Sequence, residues 1–196
     1  SRQVELQTHA GPRHIEFGAD GRHCYSVNEL DNTVTVFEYE SAYGKLKVAQ
    51  TISTIPPGWS AQPPTEVYSQ PSHASELLCS NDGRFVYVSN RGHDSVVVYA
   101  VNPITGQLSL VQYKKSGGRI PWAMALSGGS DQPFLVVQNT HSCGGGDAGP
   151  LQGPSTVVVL RRDVSTGMLE DTGAVVKLAD AISVVSVPVP QNKFKL

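Results

Sequence analysis

The sequence lacks both a strong net charge and a long apolar run. Charged residues make up 16% of the 196 positions, and the formal net charge is −2. Lysine and arginine are scattered, without the interleaved aromatic residues typical of proteins that bind single-stranded nucleic acid. No apolar run approaches the roughly 20 residues that a membrane-spanning helix requires. The sequence therefore predicts partners other than nucleic acid or a membrane.

Cysteine is also scarce. Cys24, Cys79 and Cys143 are an odd number and lack the paired spacing of zinc ligands. Cys24 and Cys79 lie in apolar, strand-like contexts, which favours buried thiols, with a disulfide between them as the alternative. Buried thiols suit a reducing compartment, so we expect a cytoplasmic protein, with an organelle as the other option. The histidines show no paired metal spacing either, and we expect neither a metal nor an organic cofactor.

A recognisable N-terminal signal is missing as well. The chain begins Ser-Arg-Gln-Val-Glu, without an initiator methionine or the apolar core of a signal peptide. We expect from this a chain that starts within a longer protein, that has been processed, or that is a fragment.

What the sequence does contain is a repeat. Residues 20–31 and 82–94 both begin with an Asp-Gly turn. An alternating strand follows and ends at an asparagine, Asn28 or Asn90. Each asparagine is followed by a polar bend and a second strand rich in valine. Asp-Gly between alternating apolar residues is a strong hairpin signal. Because the two copies are 62 residues apart throughout, they indicate a repeated structural module.

A third copy follows. Turn glycines recur at Gly44, Gly106 and Gly167, and Asn139 occupies the position of the two earlier asparagines. Successive four-stranded antiparallel meanders are typical of the blades of a β-propeller. The sequence thus predicts an all-β fold with three blades and one extra strand. We place the blades at residues 11–53, 71–116 and 119–178, and the extra strand at residues 182–189.

Three blades are too few for a closed propeller, which needs about four to eight. We therefore expect a partial propeller, roughly half of a complete one. The missing blades would be on another polypeptide, in residues outside this sequence, or replaced by the surface of a partner chain.

Charged residues gather at one predicted rim. The loop before the first strand of a blade and the loop between its second and third strands open on the same side, which places Arg13, Glu29 and Arg91 together. Guanidinium groups bind carboxylates or phosphates, and a nearby carboxylate can move a proton. This pattern predicts a site for a small anionic substrate. The alternative is that the three residues form salt bridges between blades.

Several motifs together resemble two consecutive blades of the seven-bladed lactonase family. They are Gly11-Pro12-Arg13-His14, Ala19-Asp20-Gly21-Arg22, Asn28-Glu29-Leu30 and residues 80–95. The family includes 6-phosphogluconolactonase and the fungal 3-carboxy-cis,cis-muconate lactonising enzyme, and the resemblance covers its C-terminal half.

The resemblance implies that Arg13, Glu29 and Arg91 are catalytic, with the arginines binding a small anionic lactone or carboxylic acid. His14, Asn28 and Asn90 are assigned as further substrate contacts. Lactone hydrolysis and cycloisomerisation are both implied as reactions, and a non-catalytic half-propeller that packs its open edges on a partner is the alternative.

Two features depart from the family or compete with this interpretation. Pro121-Trp122 stands where the family often has Pro-Arg, and neither His14 nor His93 matches a histidine that the family uses from an earlier blade. The repeated asparagines could instead line a calcium-dependent lactonase channel, although the sequence favours a role in capping the loops.

Overall fold

The computed structural model describes residues 4–59, 72–140 and 154–179, and every regular element in these ranges is a β-strand. The strands form three four-stranded antiparallel sheets. The first comprises β1 (Pro12–Phe17), β2 (His23–Asn28), β3 (Thr33–Glu40) and β4 (Lys45–Ser53). The second comprises β5 (His73–Cys79), β6 (Phe85–Arg91), β7 (Ser95–Val101) and β8 (Leu108–Lys115). The third comprises β9 (Pro121–Leu126), β10 (Phe134–Asn139), β11 (Ser155–Arg162) and β12 (Leu169–Leu178).

Each sheet is a simple meander in which strands pair in chain order. The innermost strands β1, β5 and β9 of neighbouring sheets lie against one another. This is the arrangement of propeller blades around an axis, and three blades leave the ring open. The predicted all-β fold and partial β-propeller are confirmed. The predicted extra strand at residues 182–189 lies outside the described residues.

The Asp-Gly turns form as the sequence predicts. Oδ1 of Asp20 accepts hydrogen bonds from the backbone N–H groups of Arg22 and His23, at 2.9 and 3.1 Å. Gly21 has a φ of +63°, a left-handed conformation that a side chain would strain. Gly83 repeats this with a φ of +69°. The turns therefore fix where β2 and β6 begin.

Two hydrophobic layers lie between the three blades. The first layer is formed by side chains from the facing surfaces of the first and second blades, including Tyr25, Val27 and Leu77. The second layer joins the second and third blades and includes Tyr87 and Leu135. All five side chains are at most 2% exposed. Burial of these layers is the main force that aligns one blade against the next.

A polar contact repeats between blades at the rim opposite the Asn28 turn. The Tyr25 hydroxyl donates to the carbonyl oxygen of Gly106 at 3.1 Å, and the Tyr87 hydroxyl donates to that of Gly167 at 3.1 Å. A Cβ atom on Gly106 would lie 2.3 Å from the ring of His23. The turn between the third and fourth strands of each later blade is thus packed against the blade before it.

The outer face of the first blade is open. Ile15 and Phe17 are 49% and 52% exposed there. Val4, Leu6 and Phe37 help to line a cavity of about 470 Å³ on the same face. Exposed apolar surface of this kind occurs at the end of any repeat array that is not capped.

No helix able to cross a membrane is found in the described part of the chain. The cytoplasmic location expected from the sequence stays a prediction.

Candidate active site

The three innermost strands each contain a β-bulge at the same place. In β1, Pro12 pairs with Asn28 and His14 pairs with Val27, so Arg13 is one extra residue opposite the end of the second strand. The register shifts likewise in β5 and β9. Bulges re-aim side chains and are common beside active sites. The side chains brought to the rim at these bulges are Arg13, Ser75 and Trp122.

Glu29 lies at the centre of the charged group. Its Oε1 atom accepts a hydrogen bond from Nη2 of Arg91 at 2.5 Å, and its Oε2 atom lies 3.6 Å from Nε of Arg13. The backbone N–H of Glu29 donates to the carbonyl oxygen of Gly11 at 2.8 Å, which holds the β2–β3 loop against the chain that enters β1. The predicted convergence of the three charged residues on one rim is therefore observed.

This geometry also matches the alternative prediction, because Glu29 of the first blade and Arg91 of the second form a salt bridge between blades. Position alone does not separate the two alternatives, but the three side chains differ in exposure. The side chain of Arg91 is 2% exposed, whereas those of Arg13 and Glu29 are 24% and 29% exposed. Arg13 and Glu29 can reach a ligand, and Arg91 is a fixed cation behind them.

Trp122 packs on both guanidinium groups. The centroid of its ring lies 4.5 Å from Cζ of Arg91 and 5.5 Å from Cζ of Arg13. Ser75 links Arg13 to Trp122. Its carbonyl oxygen accepts from Nη1 of Arg13 at 2.9 Å, and its hydroxyl donates to the carbonyl oxygen of Trp122 at 2.9 Å. Trp122, which stands where the family often has arginine, is thus in direct contact with the charged group.

His73 is a member of the site that the sequence analysis missed. It pairs with Arg91 across β5 and β6, is 6% exposed, and has its Nδ1 atom 3.8 Å from Oε1 of Glu29. Burial, followed by the charge of Arg91, lowers the pKa of His73 below its usual 6.5, and Glu29 opposes this only in part. Its position at the start of the first strand of the second blade, on the same rim by topology, was the available signal.

His14 lies beside this group rather than within it. Its Nδ1 atom lies against Oε1 of Glu76, on the neighbouring innermost strand β5. The side chain is 38% exposed, so contact with a ligand is geometrically open to it. Its predicted role in substrate binding stays a prediction.

Asn28 and Asn90 are buried and tie the ends of strands together. Nδ2 of Asn28 donates to the hydroxyls of Thr33 and Thr35 at 2.8 and 2.9 Å. Nδ2 of Asn90 donates to the carbonyl oxygen of Thr54 at 2.7 Å. These contacts fit the loop-capping alternative. Direct contact of either asparagine with substrate stays a prediction.

The other reactive groups considered in the sequence are set apart from this site. Cys24 and Cys79 are free thiols, and burial raises the pKa of Cys24 to about 11. In residues 4–59, 72–140 and 154–179, no group of three or more histidine, cysteine, aspartate or glutamate side chains is arranged to hold a metal ion.

Comparison with known proteins identifies relatives for nearly the whole chain. The sequence model of a family described as "Lactonase, 7-bladed beta-propeller" matches residues 1–186. The chain is 32% identical to a 6-phosphogluconolactonase of Bacillus subtilis (strain 168), over 92% of this chain and 43% of that protein. It spans less than half of the length of this relative.

Solved structures give the same picture. A periplasmic gluconolactonase of Pseudomonas aeruginosa superposes with a TM-score of 0.74 at 32% identity, over 90% of this chain and 42% of that one. A protein from Lactobacillus plantarum superposes with a TM-score of 0.75 at 25% identity, over 92% of this chain and 46% of that one.

Proposed function

The chain belongs to the seven-bladed β-propeller lactonase family, and from that premise we propose that it acts as a lactonase, hydrolysing a small anionic lactone. The observation that carries the proposal is the position of Glu29, a partly exposed carboxylate held between two guanidinium groups. Such a group can accept a proton while the neighbouring cations attract negative charge.

Hydrolysis requires water to attack the carbonyl carbon of the lactone ring. In the proposed reaction Glu29 accepts a proton from this water as the new carbon–oxygen bond forms and the carbonyl oxygen becomes negative. The ring carbon–oxygen bond then breaks, and the proton passes to the departing ring oxygen. The products are a free carboxylic acid and a hydroxyl group, so no oxidant or reductant is needed.

The two arginines would have different roles in this reaction. Arg13, the accessible guanidinium, would contact an anionic oxygen of the substrate. Arg91 would keep Glu29 in place and add positive potential from a buried position. When Glu29 takes up the proton, its negative charge disappears, and both cations then act undiminished on the developing oxyanion.

The test is hydrolysis of lactones by the full-length native protein and by its Glu29→Gln variant. We expect the native protein to hydrolyse a sugar-acid lactone well above the spontaneous rate and the variant to lose most of this activity. Absence of hydrolysis, together with turnover of carboxymuconolactone, would identify a cycloisomerase instead. Equal rates for both proteins would reject the role of Glu29.

The open face of the first blade favours a second candidate, a half-propeller scaffold that packs its open edges on a partner chain. Ile15 and Phe17 are about half exposed on that face. A scaffold of this kind would bind a partner chain. The purified chain alone would show no lactone turnover. A stable monomer without exposed apolar surface would exclude it.

A further inference from the structure

We propose that the site selects lactones that bear a single carboxylate, and that Trp122 sets this preference by supplying a neutral ring where a third charged group could stand. The inference rests on the proposed lactonase function and deepens it by naming the substrate class. It depends on the charges of the site, on the donors of Arg13, and on the position of the indole ring.

The charge of the site is low for a group that contains two arginines. Arg13 and Arg91 contribute two positive charges, and Glu29 between them contributes one negative charge. His73, whose pKa is lowered by burial and by Arg91, is neutral at pH 7. Among the described residues, these three charged groups therefore sum to one net positive charge, which matches one anionic group on a ligand.

In the part of the chain that the structure describes, few donors are available to that ligand. Arg91 is 2% exposed, so the accessible guanidinium is that of Arg13. Nη1 of Arg13 already donates to the carbonyl oxygen of Ser75, and its Nε atom faces Glu29. The donors that remain can neutralise the single charge of a carboxylate more completely than a phosphate, which carries nearly two charges and three acceptor oxygens.

Because Trp122 is neutral, it adds no charge to that of Arg13, Arg91 and Glu29. It occupies in β9 the bulge position that holds Arg13 in β1, and the guanidinium groups of Arg13 and Arg91 lie over its ring. A cation at this position would raise the net charge of the resting site to two. It would also add donors beside Arg13 and Arg91.

The charges of the site and of a substrate with one carboxylate stay matched during the reaction. When Glu29 becomes protonated, the site presents two positive charges, and a substrate with one carboxylate plus the developing oxyanion presents two negative charges. A phosphorylated lactone would present about three negative charges at that stage. The excess charge would be left without a partner, which disfavours that transition state.

The experiment compares kcat/KM for gluconolactone, glucarolactone and 6-phosphogluconolactone, which carry no charge, one carboxylate and a phosphate. The full-length native protein and its Trp122→Arg variant are assayed with the spontaneous rate subtracted. We expect the native protein to favour glucarolactone over both other lactones by about tenfold. We expect Trp122→Arg to raise the ratio of 6-phosphogluconolactone to glucarolactone by about tenfold or more.

The matched control is Ile104→Arg, which adds the same charge at a side chain that is 80% exposed, in the turn between β7 and β8 on the opposite rim. For Ile104→Arg, the ratio of kcat/KM for 6-phosphogluconolactone to that for glucarolactone should stay at the native value. A native preference for the uncharged or the phosphorylated lactone would overturn the inference, even if Trp122→Arg fails to fold. An unchanged ratio in a folded Trp122→Arg variant would also overturn it. Failure of the native protein to hydrolyse any lactone would instead reject the proposed function.

Discussion

Glu29 and Arg91 occupy the same position of two consecutive repeats and form an ion pair with each other. They are 62 residues apart, which is one repeat, and the distance from Nη2 of Arg91 to Oε1 of Glu29 is 2.5 Å. Equivalent loops of neighbouring blades thus carry opposite charges. The contact fixes the first blade to the second at the rim where the proposed reaction takes place.

Replacing Glu29 by glutamine should reduce kcat about 100-fold or more, because a general base contributes at least this factor in most enzymes. The unfolding free energy should fall by roughly 1–3 kcal/mol, since buried Arg91 loses a charged partner but keeps an amide oxygen as acceptor. Initial rates and urea unfolding measure the two effects. Glu38→Gln, which breaks an exposed pair with Lys47, is the control and should change stability by less than about 1 kcal/mol.

Replacing each arginine by lysine should separate binding from stability. Arg13→Lys keeps the charge but loses the planar fork, so KM should rise about tenfold with little change in unfolding free energy. Arg91→Lys should mainly lower stability, because the buried guanidinium holds Glu29 and packs on Trp122. Steady-state kinetics and thermal unfolding measure the effects. A larger rise in KM for Arg91→Lys would contradict the assignment of Arg13 as the accessible cation.

His73 should make stability depend on pH in the acid range. Burial and Arg91 lower its pKa in the folded protein, so the unfolded chain takes up this proton first as the pH falls below about 6.5. The unfolding free energy should therefore fall from about pH 6.5 down to the lowered pKa of His73, with no further loss from this group below it. Urea unfolding at several pH values measures the slope.

The comparison for this prediction is His73→Gln, which should have a shallower slope. Part of the slope should remain, because burial also lowers the pKa of His93. Identical slopes for the native protein and His73→Gln would show that His73 does not contribute.

Gly106→Ala should destabilise the protein more than Gly44→Ala. Both glycines have positive φ, +65° and +61°, so each substitution carries the left-handed backbone cost of about 1–2 kcal/mol. Gly44 has no neighbour within 4 Å of an added Cβ, whereas the Cβ on Gly106 would lie 2.3 Å from His23. The difference between the variants should be about 1–3 kcal/mol, the cost of overpacking, in denaturant unfolding. Equal losses would mean that the turn can move away from His23.

The blades were predictable from the sequence because their signals are local. An Asp-Gly turn, an alternating strand and a terminal asparagine each specify structure within a few residues, and their recurrence gives the meander. The convergence of Arg13, Glu29 and Arg91 followed from strand direction alone. These inferences need no knowledge of which side chains touch.

The roles of Trp122 and His73 could not be read in the same way. A β-bulge depends on the register between two strands, and strict alternation along one strand does not reveal it. The contact of Trp122 with the two arginines therefore depends on the strand register, which the sequence alone does not give. The lowered pKa of His73 likewise depends on burial by a neighbouring blade and on the nearby charge of Arg91.

The three bulges have a consequence for how this surface can change. Arg13, Ser75 and Trp122 leave the regular ladder at corresponding points, where the backbone is already held by the asparagine ends of the second strands. An exchange of side chain at one of these points alters charge, size or polarity at the rim while the two apolar layers between blades keep their contacts. New chemistry could therefore arise here by single substitutions, without any rebuilding of the sheets beneath.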